Sequence, residues 1–307
     1  MKRALFLSLF VMVFQFSASG QEVIENIEFT HNDSPRSYTL YVPETYNGTA
    51  DWPLVINYHG FTGSAADQMA LSEMNSVADV ENFLVAYPQG LLVTNPFLGF
   101  DGPGWNADGT LSDTDDVDFT AKLLDHIVST YAVNLDQVYT TGWSMGSAMA
   151  FQAICGLPNQ IASVAGISNQ MPKVQINDCK PGRAVSALVM HGTADPIIPI
   201  GGDGTIFSAV SDTVSFWAET NNDCEEDPET TDLEDKVGDD GSTVEMTQYK
   251  GCTSGTEVLY YQINGGGHTW PGGGSTPGFF GEINQDISAS TEIWNFFKRN
   301  PLSNVIK

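Results

Sequence analysis

Two patterns of apolar and polar residues alternate along the chain. Short runs rich in β-branched and aromatic residues, such as Pro53–Gly60 and Asn82–Gly90, predict buried strands. A longer run, Asp115–Tyr131, has apolar residues three to four positions apart and predicts an amphipathic helix. Its apolar face consists of Phe119, Leu123, Leu124, Ile127 and Val128. Because strand-like and helix-like runs alternate, the sequence predicts an α/β fold with a mostly parallel central sheet flanked by helices in a single domain.

The first twenty residues differ from the rest of the chain. Lys2 and Arg3 precede an apolar run, Ala4–Phe16, and small residues follow it up to Gly20. This order is typical of a secretory signal peptide, and we expect cleavage after Gly20. The apolar run is too short to span a bilayer comfortably, so a membrane anchor is not expected. The sequence therefore predicts a signal peptide over residues 1–20 and a secreted or periplasmic mature domain over residues 21–307.

The chain is strongly acidic, with 12 Lys and Arg against 38 Asp and Glu and a formal net charge of −26. Removal of Lys2 and Arg3 with the signal peptide makes the net charge −28. Such a chain repels nucleic acid and anionic membrane surfaces, so neither is expected as a partner. The acidity itself names no substrate and is interpreted as a solubility feature.

The four cysteines all lie downstream of the predicted signal peptide, at Cys155, Cys179, Cys224 and Cys252. An even number of cysteines in an exported chain favours two disulfides. Sequence order suggests that the first pairs with the second and the third with the fourth, although three pairings are possible. Their spacing is not typical of zinc ligands and no histidine is close to them, so a zinc site is not expected.

A serine stands between two glycines in Gly142–Gly146, which reads Gly-Trp-Ser-Met-Gly. The preceding run, Gln137–Gly142, is strand-like, and the following one is rich in small helix formers. This context is typical of a nucleophile elbow, in which a serine occupies a sharp, strained turn and the flanking glycines avoid clashes. The helix that follows directs its N-terminal dipole and free N–H groups at the charge that develops there. We therefore interpret Ser144 as a nucleophile.

A serine nucleophile needs a base, and the base needs an orienting carboxylate. Two histidines follow Ser144 in the chain. His268 lies in the glycine-rich stretch GGGHTWPGGG after a predicted strand, where an imidazole can reach over the sheet edge. His191 ends a buried strand and is interpreted as a structural histidine, with Asp195 shortly after it. The predicted triad is therefore Ser144, Asp195 and His268, in the order expected of an α/β-hydrolase.

The oxyanion of a tetrahedral intermediate needs two N–H donors. We expect one from the backbone of Met145, next to the nucleophile. The other is expected from the turn His59–Gly63, with Phe61 as the first candidate donor and Thr62 as the second. The alternative for this stretch is an ordinary turn.

Several stretches taken together resemble one protein family. They are PLVINYHG, AYPQG, GWNADG, DDVDF, VYTTGWSMG, HGTADPIIP, GGGHTWPG and IWNFF, and with their neighbours they extend over about residues 37–298. The chain resembles the secreted α/β-hydrolase esterases of the polyhydroxybutyrate depolymerase-like and feruloyl or acetylxylan esterase group, carbohydrate esterase family 1. The resemblance implies the same triad and supports the two in-order disulfides. Such esterases often have Ser-Asn-Gly-Gly at the elbow, whereas this chain has Ser144–Ser147, Ser-Met-Gly-Ser, which keeps the backbone donor and alters the pocket floor.

The resulting hypothesis is a secreted serine carboxylic ester hydrolase whose catalytic domain occupies residues 21–307 and needs no cofactor or metal. The resemblance implies a small-molecule or oligomeric ester substrate, either feruloyl and acetyl esters of plant polysaccharide or related soluble esters. Hydrolysis of hydroxyalkanoate polyesters or their oligomers is the alternative. A catalytically silent binding protein on the same fold is the alternative from another class, although such proteins usually lack a triad residue.

Aromatic residues near these motifs are candidates for the wall of a substrate pocket. They are Trp105, Trp143 and Trp270, with Phe61 and Thr62 beside the predicted oxyanion turn. Together they predict an apolar surface for a phenolic or hydroxyalkanoate acyl group. Packing in the protein core is the alternative for the three tryptophans.

Two acidic stretches have competing interpretations. Asp223–Glu245 is crowded with carboxylates and is interpreted as a solvated excursion whose ends a disulfide holds together, with a lid or substrate-selecting loop as the alternative. Four aspartates cluster in Asp113–Asp118, but the glycine and terminal glutamate of an EF-hand loop are absent. Helix capping by Asp115 or Asp116 is therefore favoured over calcium binding.

Overall fold

The structure is a computed structural model that describes residues 22–95, 99–107, 109 and 111–304. Within these ranges the strands are β1 (Glu22–His31), β2 (Ser34–Val42), β3 (Trp52–Tyr58), β4 (Leu84–Pro88), β5 (Leu91–Asn95), β6 (Phe100–Gly104), β7 (Val133–Trp143), β8 (Ser163–Ile167), β9 (Ala187–Gly192), β10 (Glu226–Asp232), β11 (Thr243–Lys250) and β12 (Val258–Asn264). The helices are α1 (Ala65–Ser72), α2 (Met74–Glu81), α3 (Asp116–Val128), α4 (Met145–Gly156), α5 (Lys173–Asp178), α6 (Val210–Ser215), which a π-helical turn continues, and α7 (Ala289–Phe297). The predicted signal peptide lies outside the described residues.

The main sheet has ten strands in the described part of the chain, in the order β1-β2-β4-β3-β7-β8-β9-β12-β11-β10. The six neighbouring strands from β4 to β12 run parallel. Antiparallel pairing adds two further strands at each edge. The small hairpin of β5 and β6 stands apart from this sheet. The predicted α/β-hydrolase fold, a single domain with a mostly parallel sheet, is confirmed.

The order of the strands creates a switch point beside β3. This strand has β4 on one side and β7 on the other, so successive connections run toward opposite edges of the sheet. Tyr58, the last residue of β3, is the register partner of Gly142 near the end of β7. Ligands of open α/β sheets bind outside the carboxyl ends of the strands at such a point. The turns that follow β3 and β7 therefore meet where a site is expected.

The apolar core lies on both faces of the sheet. On one face α3, α4 and α6 pack against it, with Phe119 and Phe151 fully buried. On the other face α1, α2 and α7 do so, with Met74 and Phe297 fully buried. This two-sided cover explains why the central strands read as continuous apolar runs rather than alternating ones.

Helix α3 follows its sequence pattern closely. The Asp115 carboxylate accepts a hydrogen bond from the Asp118 amide at 2.8 Å and caps the helix, which confirms the capping interpretation. Four of the five residues predicted on its apolar face are buried. Val128 is 37% exposed, because it is the last residue of the helix.

The other aspartates of this cluster contact protein groups. Asp116 is buried and accepts hydrogen bonds from the Arg36 guanidinium and the Asn106 amide, both at 2.8 Å. Asp118 accepts a hydrogen bond from His31 Nε2 at 2.8 Å. These contacts connect the β1–β2 hairpin to α3. Within the described ranges, no group of three or more His, Cys, Asp or Glu side chains is arranged to hold a metal ion.

Disulfides join Cys155 to Cys179 and Cys224 to Cys252, which confirms the pairing that sequence order suggests. The first connects the C-terminal ends of α4 and α5. The second connects the residues that flank the β10–β11 hairpin.

The acidic stretch Asp223–Glu245 is largely exposed and a disulfide holds its ends together, as expected, but part of it is a strand. Glu226–Asp232 forms the edge strand β10, which pairs with β11 in antiparallel register. The connecting residues are fastened as well, since the amides of Lys236 and Val237 donate to the Asp286 carboxylate at 2.7 and 3.1 Å. The strand pairing was not predicted, because an exposed edge strand rich in charged side chains shows no apolar alternation.

Candidate active site

Ser144 occupies the turn between β7 and α4. Its backbone has φ 57° and ψ −124°, a strained conformation for a residue other than glycine. A Cβ at Gly142 would overlap the carbonyl of Gly146, and a Cβ at Gly146 would overlap the carbonyl of Tyr58. The two glycines therefore allow the turn to close against β3, and the predicted elbow geometry is present.

The structure brings the three residues of the predicted triad into one hydrogen-bonded chain. The Ser144 hydroxyl donates to His268 Nε2 at 2.8 Å, and His268 Nδ1–H donates to Asp195 Oδ2 at 2.7 Å. The other carboxylate oxygen of Asp195 accepts the amides of Ile197 and Ile198, both at 2.8 Å. The carboxylate is thus held on both oxygens, and the tautomer of His268 leaves Nε2 free to take a proton.

His268 is held in place by a segment that sequence reasoning missed. The amides of Gly267 and His268 donate to the carbonyls of Glu282 and Phe280 at 2.9 and 2.7 Å. The Phe280 ring stacks on the His268 ring with 5.7 Å between centroids, and the imidazole is only 1% exposed. Phe280 lies in a short, glycine-flanked turn, where no periodic pattern marks its position.

His191 is a structural residue, as the sequence predicts. Its Nε2–H donates to the carbonyl of Ile198 at 2.9 Å, and it lies 3.6 Å from the Asp195 carboxylate. Burial lowers the pKa of His191, so its ring stays neutral. The Asp195 carboxylate therefore has no charged partner in His191 and interacts with the His268 ring.

The turn after β3 lies against Ser144, which is the position that the oxyanion-hole prediction requires. A Cβ at Gly60 would come within 3.2 Å of Ser144 Cβ. The Thr62 amide already donates to the Pro103 carbonyl at 2.8 Å, so it is not a free donor. Phe61 is the remaining predicted donor in this turn. Met145 is the first residue of α4, where amides have no acceptor within the helix.

His59 holds this turn in place and was not among the predicted site residues. Its Nδ1–H donates to the Gly60 carbonyl at 2.7 Å, while Nε2 accepts the Gly90 amide at 2.9 Å. Burial lowers the pKa of His59 to about 4, which keeps the ring neutral. A signal was available in the sequence, since a histidine and a glycine directly follow a buried strand there.

The predicted pocket tryptophans fall into two groups. Trp143 is half-buried, with its ring 5.0 Å from that of His268. Trp105 and Trp270 are fully buried, with indole N–H groups donating to the carbonyl of His59 and the hydroxyl of Ser290. These two line no open surface, because the site's loops pack around them as part of the core. The prediction that they form pocket walls is corrected accordingly.

Two further pairs of aromatic rings lie in the turn after β3 and beside His268. The Phe61 ring contacts Phe100, which is 48% exposed, at a centroid distance of 5.6 Å. Phe280, whose ring stacks on His268, contacts Phe279, which is 68% exposed, at 4.3 Å. Phe100 and Phe279 lie in a short hairpin and a short turn rather than in periodic elements, so no sequence pattern marked them. Thr62 is exposed, and its side chain lies against Gly102 of β6.

The strand order and the Ser144–His268–Asp195 arrangement are those of the α/β-hydrolase class. Residues 47–225 match the phospholipase/carboxylesterase family, and because this is more than half of the chain, the chain belongs to that family.

Two relatives and one solved structure extend this result. Feruloyl esterase B of Piromyces equi is 30% identical over 243 residues, which cover 76% of this chain and 42% of that protein. Feruloyl esterase D of Neurospora crassa is 26% identical over 285 residues, which cover 92% and 86%. An acetyl xylan esterase from Aspergillus awamori has the same fold, with a TM-score of 0.59 at 16% identity over 91% of this chain and 99% of that one. The chain thus spans less than half the length of the first relative, and the resemblance to feruloyl esterases is confirmed.

Proposed function

We propose that the protein is a serine esterase in which Ser144, His268 and Asp195 carry out the reaction. The observation that carries the proposal is the continuous hydrogen-bonded chain from the Ser144 hydroxyl through His268 to Asp195. In an active enzyme of this class the same contacts supply a nucleophile, a general base and an orienting carboxylate.

The first half of the reaction forms an acyl-enzyme. Ser144 Oγ attacks the ester carbonyl carbon while its proton moves to His268 Nε2. The Asp195 carboxylate stabilises the imidazolium, and the amides of Phe61 and Met145 donate to the oxyanion. As the intermediate collapses, His268 gives its proton to the departing alcohol.

The second half releases the acid. Water enters in place of the alcohol, His268 takes one of its protons, and the hydroxide oxygen attacks the acyl carbonyl. The second tetrahedral intermediate expels Ser144 Oγ, which recovers its proton from His268. No cofactor is needed for this cycle.

We propose an aromatic acyl ester of the feruloyl type as the substrate. Two aromatic pairs, Phe61 with Phe100 and Phe280 with Phe279, present apolar ring surface in the turn after β3 and beside His268, which suits a planar phenolic group. Two of the relatives are named as feruloyl esterases, which supports the same substrate class.

The test compares initial rates on methyl ferulate and on soluble 3-hydroxybutyrate oligomers. Ser144→Ala should abolish turnover of both, while Ser208→Ala, a buried serine outside the triad, should keep wild-type rates. Faster release from methyl ferulate supports the feruloyl assignment. Faster cleavage of the oligomers contradicts it and favours a hydroxyalkanoate ester hydrolase, and an active Ser144→Ala protein contradicts the mechanism itself.

We also propose that the protein is exported after removal of residues 1–20. The two disulfides support an oxidising compartment. Across the described ranges, no helix has the length and apolar character to cross a membrane. N-terminal sequencing of the mature protein tests the cleavage site, and a retained Met1 contradicts it.

A further inference from the structure

Two residues directly after β8 bond to both catalytic loops, although neither belongs to the triad. The Asn169 side-chain Nδ2 donates to the carbonyl of Ser144 at 3.0 Å. The Ser168 hydroxyl donates to the carbonyl of Thr269, the residue after His268, at 2.7 Å. Both side chains are buried. One short segment therefore holds the backbone of Ser144 and that of the residue after His268.

Further bonds fasten this segment to the nucleophile turn. The Ser144 amide donates to the carbonyl of Ile167 at 2.9 Å. The Ser147 hydroxyl, on the first turn of α4, donates to the carbonyl of Asn169 at 3.0 Å. The amide and the carbonyl of Ser144 are thus both held by residues 167–169, which fixes the orientation of its peptide groups.

The backbone of Ser168 is in a conformation that costs free energy. Its φ is 52°, in the left-handed region, which is unfavourable for a residue other than glycine. Such strain persists where surrounding contacts over-determine the conformation, and it is concentrated at functional sites. A glycine would remove the strain, but it would also remove the hydroxyl that bonds to Thr269.

We propose that Ser168 and Asn169 are positioning residues that set the 2.8 Å approach between His268 Nε2 and Ser144 Oγ. They act on the backbone on either side of this contact and do not touch the reacting atoms. The inference rests on the proposed function, since it requires Ser144 and His268 to react. A misplacement of about 1 Å in a catalytic group can cost about 100-fold in rate, so the loss of either bond should lower kcat more than it changes KM.

The experiment measures kcat and KM for methyl ferulate in Ser168→Ala, Ser168→Gly, Asn169→Ala and Asn169→Asp, together with the rate at which a fluorophosphonate labels Ser144. We expect kcat and the labelling rate to fall about 10- to 100-fold, with KM changed by no more than about twofold. Ser168→Gly should lose as much as Ser168→Ala, because both lack the hydroxyl. Asn169→Asp keeps the size of the side chain and replaces the donor with an oxygen.

Two matched variants control for loss of a buried polar side chain. The Ser208 hydroxyl donates to the carbonyl of Met171, and the Asn222 amide group donates to the carbonyl of Val185. Ser208→Ala and Asn222→Ala should keep the wild-type kcat when both are assayed below their melting temperatures. Circular dichroism verifies that each variant is folded under the assay conditions.

The outcomes separate this inference from the proposed function. Folded Ser168 and Asn169 variants with wild-type kcat overturn the positioning role, and so does a Ser168→Gly protein with full activity. In both cases an inactive Ser144→Ala leaves the esterase mechanism standing. If Ser144→Ala is itself active, the proposed function fails and the positioning role fails with it.

Discussion

The imidazole of His59 accepts a hydrogen bond from the backbone amide of Gly90 at 2.9 Å. An acceptor nitrogen carries no proton, so this contact requires the neutral ring, and burial lowers the pKa of His59 to about 4. The same ring donates to the Gly60 carbonyl at 2.7 Å. The candidate oxyanion turn is therefore fastened to the β4–β5 connection by a histidine that must stay neutral.

Acidification should destabilise the fold through His59. Its pKa in the folded protein lies below the ordinary value of 6.5, so between pH 6.5 and about 4 the unfolded chain binds a proton that the folded protein does not. The free energy of unfolding should fall across this window by on the order of 3 kcal/mol from this residue alone. Urea unfolding from pH 7 to pH 4 measures this fall.

His59→Gln is the comparison for this prediction. It should be less stable than the wild type at pH 7 and should lose less stability on acidification. The pKa of His191 is lowered by burial too, but His191 is present in both proteins and its contribution cancels. Identical pH dependence in the two proteins would contradict the prediction.

Gly146→Ala should disrupt the elbow. A Cβ at this position would overlap the backbone carbonyl of Tyr58, which cannot move without displacing β3. We expect a loss of about 2–4 kcal/mol in the free energy of unfolding, together with loss of activity. Gly201→Ala is the matched control, because a Cβ there meets nothing within 4 Å. Thermal unfolding of both variants measures the effect, and similar melting temperatures would refute the clash.

The disulfide between Cys155 and Cys179 should contribute to stability. It closes a loop with a sequence separation of 24 between the ends of α4 and α5. The double variant Cys155→Ala/Cys179→Ala should lose about 3 kcal/mol, because its unfolded chain has more conformational freedom. Guanidinium unfolding without reductant measures the difference. An unchanged midpoint would show that this bridge stabilises nothing.

Phe279→Ala should selectively affect aromatic esters. The Phe279 ring is 68% exposed and contacts Phe280, which stacks on His268. We expect kcat/KM for methyl ferulate to fall about 3- to 10-fold, which corresponds to the free energy of one aromatic contact. For methyl acetate, kcat/KM should change little. Val80→Ala, at a 76% exposed position on α2, controls for removal of a surface apolar group. Equal losses on both esters would contradict a selective aromatic contact.

Much of the fold and the candidate triad could be predicted because local patterns encode them. Buried strands leave continuous apolar runs and amphipathic helices leave periodic ones, as in α3 with Asp115 at its N-cap. Ser144 lies in a motif whose two glycines are needed because other backbone segments come too close for a Cβ atom. The sequence shows this requirement directly, since only glycine lacks a Cβ. His268 and Asp195 end or follow predicted strands, and parallel strands bring such ends to one edge of the sheet.

The edge strand β10 was not predicted, for an equally physical reason. β10 is exposed, so its residues carry no apolar pattern even though they pair with β11. Its place depends on backbone hydrogen bonds, which any residue other than proline can donate.

By itself the sequence determined the order of elements, the residue types at the elbow and the three candidate triad positions. Tertiary structure alone decided which aromatic rings are buried and which are exposed. The Trp105 indole packs in the core and donates to the carbonyl of His59, 46 positions earlier, and Ser168 bonds to Thr269, 101 positions later. Burial and hydrogen bonding depend on which distant segments pack together, and no local pattern of residues records that.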